Sequence, residues 1–152
     1  MRYRSKTLTA WLALLLGAFG AHRFYLHGAR DRWAWAYPLP TLVGLLGVLR
    51  MRTLGQDDGW ATLMIPWVGL TLSAAMLSGI LAALTPDETW DQRYNAGQPV
   101  HSTGWGAVFA AMVGLFVGAA VLLSTIAFSG QRFFEWQLEP AAAPQNSRPL
   151  IQ

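Results

Sequence analysis

Residues 17–28 read GAFGAHRFYLHG and directly follow an apolar stretch. Glycines permit a tight turn, and an arginine beside an aromatic pair is typical of a helix end at the headgroup level of a membrane. The preceding stretch, residues 7–21, is short, and at about 1.5 Å per residue it barely crosses the hydrocarbon. The sequence therefore predicts a short first span with its turn drawn into the interface.

Composition places the rest of the chain in a membrane as well. Of 152 residues, 53% are hydrophobic and 12% are charged, whereas soluble domains carry about 25% charged residues. Residues 60–84 and 102–130 contain no charged side chain, and each exceeds the roughly 20 residues that span a bilayer. We predict spans over about 60–84 and 104–130. The basic residues form no stripe, so nucleic acid is not an expected partner.

Residues 33–49 are also uncharged, but Pro38 and Pro40 interrupt them, which predicts a short, kinked span. The expected fold class is therefore all-α integral membrane, with four transmembrane helices as two hairpins. The first hairpin covers residues 1–52 (spans about 7–21 and 33–49), the second covers residues 53–138, and residues 139–152 form a flexible tail.

Four spans put both termini on one side of the membrane. With the N-terminus in the cytoplasm, the cytoplasmic segments hold Arg2, Arg4, Lys6, Arg50, Arg52, Arg132 and Arg148, and the opposite loops hold Arg23, Arg30, Arg32 and Arg93. The positive-inside rule then predicts cytoplasmic N- and C-termini. A cleaved signal peptide is the alternative for the first apolar segment, because basic residues precede it.

The third loop predicts a short helix lying in the interface. Thr85 to Glu88 form a capping-box pattern, and Trp90 and Tyr94 share one helix face. A plain solvated loop is the alternative. Asp57 and Asp58 are expected to cap the next span through its dipole.

Small residues mark the surfaces on which helices pack closely. They recur every four residues in the fourth span, and glycines mark the first turn; the candidates are Gly17, Gly20, Gly106, Ala110, Gly114 and Gly118. Two interpretations stay open, namely packing inside one monomer and contact with a second copy or a partner subunit.

The first loop concentrates the ionisable and aromatic side chains. The candidates for contact with an anionic headgroup or a partner are His22, Arg23, Phe24, Tyr25, Arg30, Asp31 and Arg32. The alternative is a purely structural turn, in which Arg23 satisfies helix carbonyls and the aromatic rings anchor the loop.

Catalytic chemistry is not expected. The chain has no cysteine and no nucleophile–base arrangement, so no catalytic residue is assigned. The three histidines lie in loops or at helix ends, which disfavours haem and leaves too few ligands for a metal site. The centres of the predicted spans carry no charge, which argues against an ion-coupled pump. We expect no cofactor and no metal.

Residues 5–28 resemble the two-transmembrane-helix (TM2) domain family. The family pattern is a basic start, a short apolar helix and G-x-x-G-x-H/D-R-F-Y-L-G; the matching residues are Lys6, Gly17, Gly20, His22, Arg23, Phe24, Tyr25, Leu26 and Gly28. His27 is one residue more than the usual pattern, and Arg50 to Arg52 replace the aspartate that often ends the second helix. The resemblance covers about the first third of the chain.

The resemblance implies an integral membrane hairpin and a bacterial member, and the family's biochemical role is mostly undefined. We therefore expect a non-enzymatic, multi-pass protein of the bacterial inner membrane, with the lipid bilayer around it. Its predicted role is a structural or interaction module that packs against itself or another membrane protein. The alternatives are a small lipid-binding or permeation protein, or an accessory subunit of a larger complex.

Overall fold

The computed structural model describes residues 3–138. Within this range there are seven α-helices, one 3₁₀ turn (Gly17–Phe19) and no strand. The helices are α1 (Lys6–Leu16), α2 (Ala21–His27), α3 (Arg32–Trp35), α4 (Pro38–Leu54), α5 (Gly59–Leu84), α6 (Asp87–Tyr94) and α7 (Trp105–Leu138). The predicted tail, residues 139–152, lies outside the described residues.

Helices α5 and α7 form an antiparallel pair at the centre of the molecule. Both are long and apolar enough to cross a membrane, whereas the apolar stretch Lys6–Phe19 is shorter. Asp58 caps α5 as predicted, because its carboxylate accepts the Trp60 N–H. Two helices with the length and composition of a span are therefore present among the described residues, and the four predicted spans are not supported.

Helix α1 runs along one half of α5 and ends near its middle. The Lys6 ammonium donates to the Thr85 carbonyl at 2.8 Å, which places the start of α1 at the end of α5. Further along, Gly17 packs on Ala75, and a Cβ on Gly17 would lie 2.6 Å from the Ala75 Cβ. One span over residues 7–21 is not supported, because α1 ends at Leu16 and the chain then reverses.

The reversal depends on Gly20. Its φ of 74° is left-handed, and a Cβ there would meet the Ala34 carbonyl oxygen at 2.5 Å. Only glycine adopts this conformation routinely, and here it also permits the close approach. Helix α2 then returns alongside α1 until Leu26 packs with Ala82 and Trp90. We call α1, the 3₁₀ turn and α2 the α1–α2 hairpin.

Helix α4 covers the other half of α5. Thr41 hydrogen-bonds Thr71 near the middle of α5, and Arg50 pairs with Asp58 at its start. Pro38 and Pro40 lie in the first turn of α4, where the amide hydrogens have no intrahelical acceptor, so the predicted kink does not arise there. The helix-interior proline is Pro66 of α5.

The short helix predicted in the third loop is confirmed as α6. Its Trp90 is 3% exposed, and Pro86 occupies the cap position. The Thr85 hydroxyl donates back to the Leu81 carbonyl instead of capping α6, so the predicted capping box does not form.

The two ends of the described chain lie at opposite ends of the helix bundle. Gly106 of α7 packs near Thr7 of α1, whereas Phe133 lines a groove with Trp60 at the start of α5. The prediction that both ends lie on one side assumed that α1 crosses the bundle, which it does not. A core of Ala10, Ala83, Ala107, Ala110 and Ala111 joins the two predicted hairpins into one packed unit.

Candidate functional site

An ion pair joins α2 of the α1–α2 hairpin to the start of α3. Arg23 Nε donates to Asp31 Oδ2 at 3.0 Å, and the other Asp31 oxygen accepts the Trp33 N–H that begins α3. Burial alone raises the pKa of Asp31, but the hydrogen bonds from Arg23 and Trp33 outweigh it and hold the pKa below its usual value. The Arg23 guanidinium therefore already has a carboxylate partner within the chain.

The aromatic pair of the HRFY segment also makes contacts inside the chain. Phe24 meets Trp35 edge to face, with ring centroids 5.2 Å apart. The Tyr25 hydroxyl accepts the Ser5 N–H at 2.9 Å and so ties α2 to the start of α1. Both residues connect neighbouring elements of the hairpin.

Arg30 and Arg32 differ from Arg23. Both are exposed, and within residues 3–138 neither forms an ion pair. Trp33 and Trp35 beside them are 69% and 62% exposed. Of the predicted contact residues, these two arginines are the ones available to an outside anion.

The N-terminal segment is fixed to α6 by polar contacts that sequence reasoning missed. Trp90 Nε1 donates to the Arg4 carbonyl at 2.9 Å, and Asn95 Oδ1 accepts the Arg4 N–H at 2.8 Å. The buried ammonium of Lys6 pairs with Asp87. We call these five residues the N-terminal clamp. They are far apart in sequence, and no spacing rule connects them.

The clamp also explains the acidity of Asp87. Hydrogen bonds from the Lys6 ammonium and from the Thr103 hydroxyl and N–H lower the pKa of Asp87 to about 2. The carboxylate therefore stays ionised over the whole physiological range and holds the cation of Lys6.

His22 lies at the base of α2, beside the turn of the hairpin. It is 4% exposed, and neither Nδ1 nor Nε2 has a hydrogen-bond partner. Its ring meets Tyr37 edge to face at 5.3 Å. Because Gly17, next to it, packs on Ala75, His22 lies at the level of the middle of α5. The interfacial position of this turn stays a prediction, and the structure places the turn beside the middle of α5.

Four hydroxyl side chains lie in the same region as His22. Thr41 donates to the Ala18 carbonyl of the 3₁₀ turn at 2.7 Å and contacts the Thr71 hydroxyl at 3.0 Å. The hydroxyls of Tyr37 and Ser78 lie 3.4 Å apart. Thr41 therefore satisfies a carbonyl freed by the end of α1. The sequence shows polar residues inside apolar helices, but it does not identify their hydrogen-bond partners.

The small-residue candidates all pack inside the molecule. Gly17 meets Ala75, and Gly20 meets Ala34. In α7, Gly106 faces Thr7, Ala110 joins the alanine core, Gly114 faces Ile80, and Gly118 faces Met76. The small-residue stripe of α7, for which contact with a partner was one interpretation, therefore packs on α1 and α5 of the same chain.

A groove of about 650 Å³ lies at the far end of the bundle, between the start of α5 and the end of α7. Trp60, Leu63, Phe133 and Trp136 supply apolar walls, and the Arg132–Glu135 ion pair lies at the same end. Within the described part of the chain, no group of three histidine or acidic side chains is arranged to hold a metal ion.

The first third of the chain is a recognised unit. Residues 2–52 match the TM2 domain family model. The chain carries a TM2 domain. No curated protein and no solved structure matches the chain. The TM2 domain ends two residues before the end of α4, so it comprises the α1–α2 hairpin, α3 and nearly all of α4. With the two long apolar helices, it indicates a membrane protein.

The TM2 domain is built around a helix that lies outside it. Its α1 and α4 both pack on α5, one on each half, and its N-terminal segment is held by α6. The TM2 domain therefore does not enclose a core of its own, and α5 supplies the surface on which its α1 and α4 pack.

Proposed function

We propose that this is a multi-pass membrane protein in which α5 and α7 cross the bilayer, α3 and α4 together make a third crossing, and the α1–α2 hairpin re-enters on the side from which it came. Helix α4 begins at the depth of the hairpin turn, where Thr41 contacts Ala18 and Thr71, and its seventeen residues extend about 25 Å to the far end of α5. The hairpin turn beside Ala75 is ten residues, or about 15 Å, below Thr85. Irregular backbone at that depth needs cover from protein, which α4 and α5 supply.

The arrangement of basic residues supports an orientation. Nine lysine and arginine residues lie within residues 3–138. Six lie toward the end of the bundle that holds α6 and the open end of the hairpin, namely Arg4, Lys6, Arg23, Arg30, Arg32 and Arg93. Three lie toward the far end, namely Arg50, Arg52 and Arg132. The positive-inside rule then favours a cytoplasmic N-terminus. In this topology the end of α7 lies on the opposite side, and the bacterial inner membrane remains the predicted location.

We further propose that the protein is a non-enzymatic interaction module whose contact with a second copy uses one face of α4. Leu39, Leu42, Leu46 and Leu49 follow at spacings of three and four, and all are at least half exposed. We call them the α4 leucine face. A leucine repeat of this period matches the seam of left-handed helix pairs. This single observation carries the proposal.

Cysteine cross-linking tests the α4 leucine face in native membranes, because the natural chain has no cysteine. Leu42→Cys and Leu46→Cys should each give an oxidised homodimer. Phe116→Cys is the matched control, since that side chain is 79% exposed on α7. Equal cross-linking at both helices would indicate random collision and would refute the proposal. Cross-linking only to a different protein would replace the second copy by a partner or a larger complex.

Arg30 and Arg32 support a second candidate, the binding of anionic lipid headgroups. They are exposed beside two exposed tryptophans, a combination suited to the headgroup layer. Purified protein should retain phosphatidylglycerol over phosphatidylcholine, and Arg30→Ala with Arg32→Ala should remove that preference. Arg93→Ala is the control, because Arg93 already lies over the Tyr94 ring. An unchanged lipid preference would exclude this role for the two arginines.

A further inference from the structure

His22 is a buried ionisable side chain that no contact of the fold accounts for. Its imidazole is 4% exposed, and both ring nitrogens lack a hydrogen-bond partner. Buried polar atoms in proteins are nearly always paired, and ionisable groups inside a membrane usually serve a function. A phenylalanine would fill the same place without an unpaired nitrogen, so packing alone gives no reason for a histidine.

The surroundings of His22 leave room for only a very small ligand. The 3₁₀ turn presses Gly17 against Ala75 on one side, and Tyr37 meets the ring edge on another. Gly20, two residues before His22, lies against the Ala34 carbonyl. A metal ion would need further ligands, and the described residues offer no such group. The ligand that this packing admits is a proton.

The neighbouring charges leave an imidazolium without a counter-ion. Among residues 3–138, the ring lies beside Gly17 of the 3₁₀ turn and meets the titratable side chain of Tyr37 before α4, and His22 forms no ion pair with an acidic side chain. On α2 itself the next residue is Arg23, whose positive charge opposes a second one and is already paired with Asp31. An unpaired buried charge is strongly destabilising.

We propose that His22 is an intramembrane proton-binding site whose occupation releases the α1–α2 hairpin from α5. One proton from water adds to the free ring nitrogen, and the resulting imidazolium has two N–H donors and no acceptor in the closed hairpin. The side chain of the next residue, Arg23, is 32% exposed, so the path from His22 to the outside of the molecule is short. Withdrawal of the hairpin toward its open end brings the imidazolium to water and separates the 3₁₀ turn from α5.

Spin-label distances on the full chain in lipid nanodiscs test the release. Phe19→Cys and Leu77→Cys place labels on two exposed sites, one on the turn and one on α5. We expect the distance distribution to lengthen between pH 7.5 and pH 5. The same pair with His22→Phe should keep the short distance at both pH values. Equal lengthening in the two proteins, or none in either, would overturn the proposal.

Ring ¹⁵N resonances give a second readout that does not depend on a variant at His22. His27→Gln with His101→Gln leaves His22 as the only imidazole of the chain. Its resonances should change from the neutral to the imidazolium form over the pH range in which the labels separate. A neutral ring throughout that range, or an imidazolium in a hairpin that stays closed, would refute the coupling.

Discussion

The α1–α2 hairpin and the α5–α7 pair are both antiparallel helix pairs, but they reverse direction in different ways. The long pair reverses through α6 and the segment after it, where carboxylates and amides are abundant. The hairpin reverses beside the middle of α5, over one 3₁₀ turn and a left-handed glycine. Reversal inside a packed interior requires every freed backbone group to find a partner, which is why Thr41 and α5 are needed there.

Breaking the hairpin turn should have the largest effect. Gly20→Val combines a left-handed β-branched residue with a clash against the Ala34 carbonyl, and we expect a loss of about 3 kcal/mol or more of stability. Thermal unfolding in detergent and the yield of folded protein measure it.

The matched control for this substitution lies in the long pair. Gly130→Ala adds a methyl group inside α7 where nothing lies within 4 Å, so it should be neutral or stabilising by up to about 1 kcal/mol. Equal losses for both substitutions would show that the turn has no special requirement for glycine.

Removing the charge of Asp87 should have the next largest effect, because it leaves the buried Lys6 ammonium without its counter-ion. We expect Asp87→Asn to cost about 2 kcal/mol, less than for a fully buried pair since Asp87 is 29% exposed. Lys6→Met with Asp87→Asn should recover part of the loss. A double variant less stable than the single one would contradict an ionic clamp.

The same carboxylate predicts a dependence on acid. The folded pKa of Asp87 is about 2, below its unperturbed 3.8, so its contribution is complete above pH 3.8 and is lost as the pH falls through 2. Thermal unfolding between pH 5 and pH 2 should therefore decline less steeply in Asp87→Asn than in the natural protein. Parallel curves would remove Asp87 from the acid response.

The smallest effect is expected at the exposed end of the long pair. Glu135→Gln breaks the ion pair with Arg132, in which the carboxylate is 46% exposed, and should cost no more than about 0.5 kcal/mol. The same unfolding assay measures it. A loss as large as that of Asp87→Asn would mean that the two ends of the bundle depend equally on charge.

Sequence patterns were sufficient for the long helices and insufficient for the hairpin. Hydropathy predicted α5 and α7, Asp58 predicted the start of α5, and the residue pattern of the third loop predicted α6. Hydropathy does not register the φ of Gly20, and residues 7–21 look the same whether the chain continues or turns back. The two closely spaced glycines did predict a tight turn, but not that the turn lies beside the middle of α5.

The contact role of the HRFY segment stays a prediction, whereas its partners inside the chain are visible in the structure. Arg23 pairs with Asp31, the nearest acidic residue in sequence, and His22 is buried. Long-range contacts such as Lys6 with Asp87 depend on how α1 and α6 meet at the end of α5, which no local spacing contains.

The most direct test of the account is the sidedness of the residue that follows the hairpin. Single cysteines at Tyr3, Ala29, Thr89 and Gln56 can be labelled with a membrane-impermeant maleimide in right-side-out and inverted vesicles, since the natural chain has no cysteine. The account predicts that Ala29→Cys reacts from the same side as Tyr3→Cys and Thr89→Cys, and that Gln56→Cys reacts from the other. Labelling of Ala29→Cys from the side opposite Tyr3→Cys would show that α1 crosses the membrane and would contradict the re-entrant hairpin.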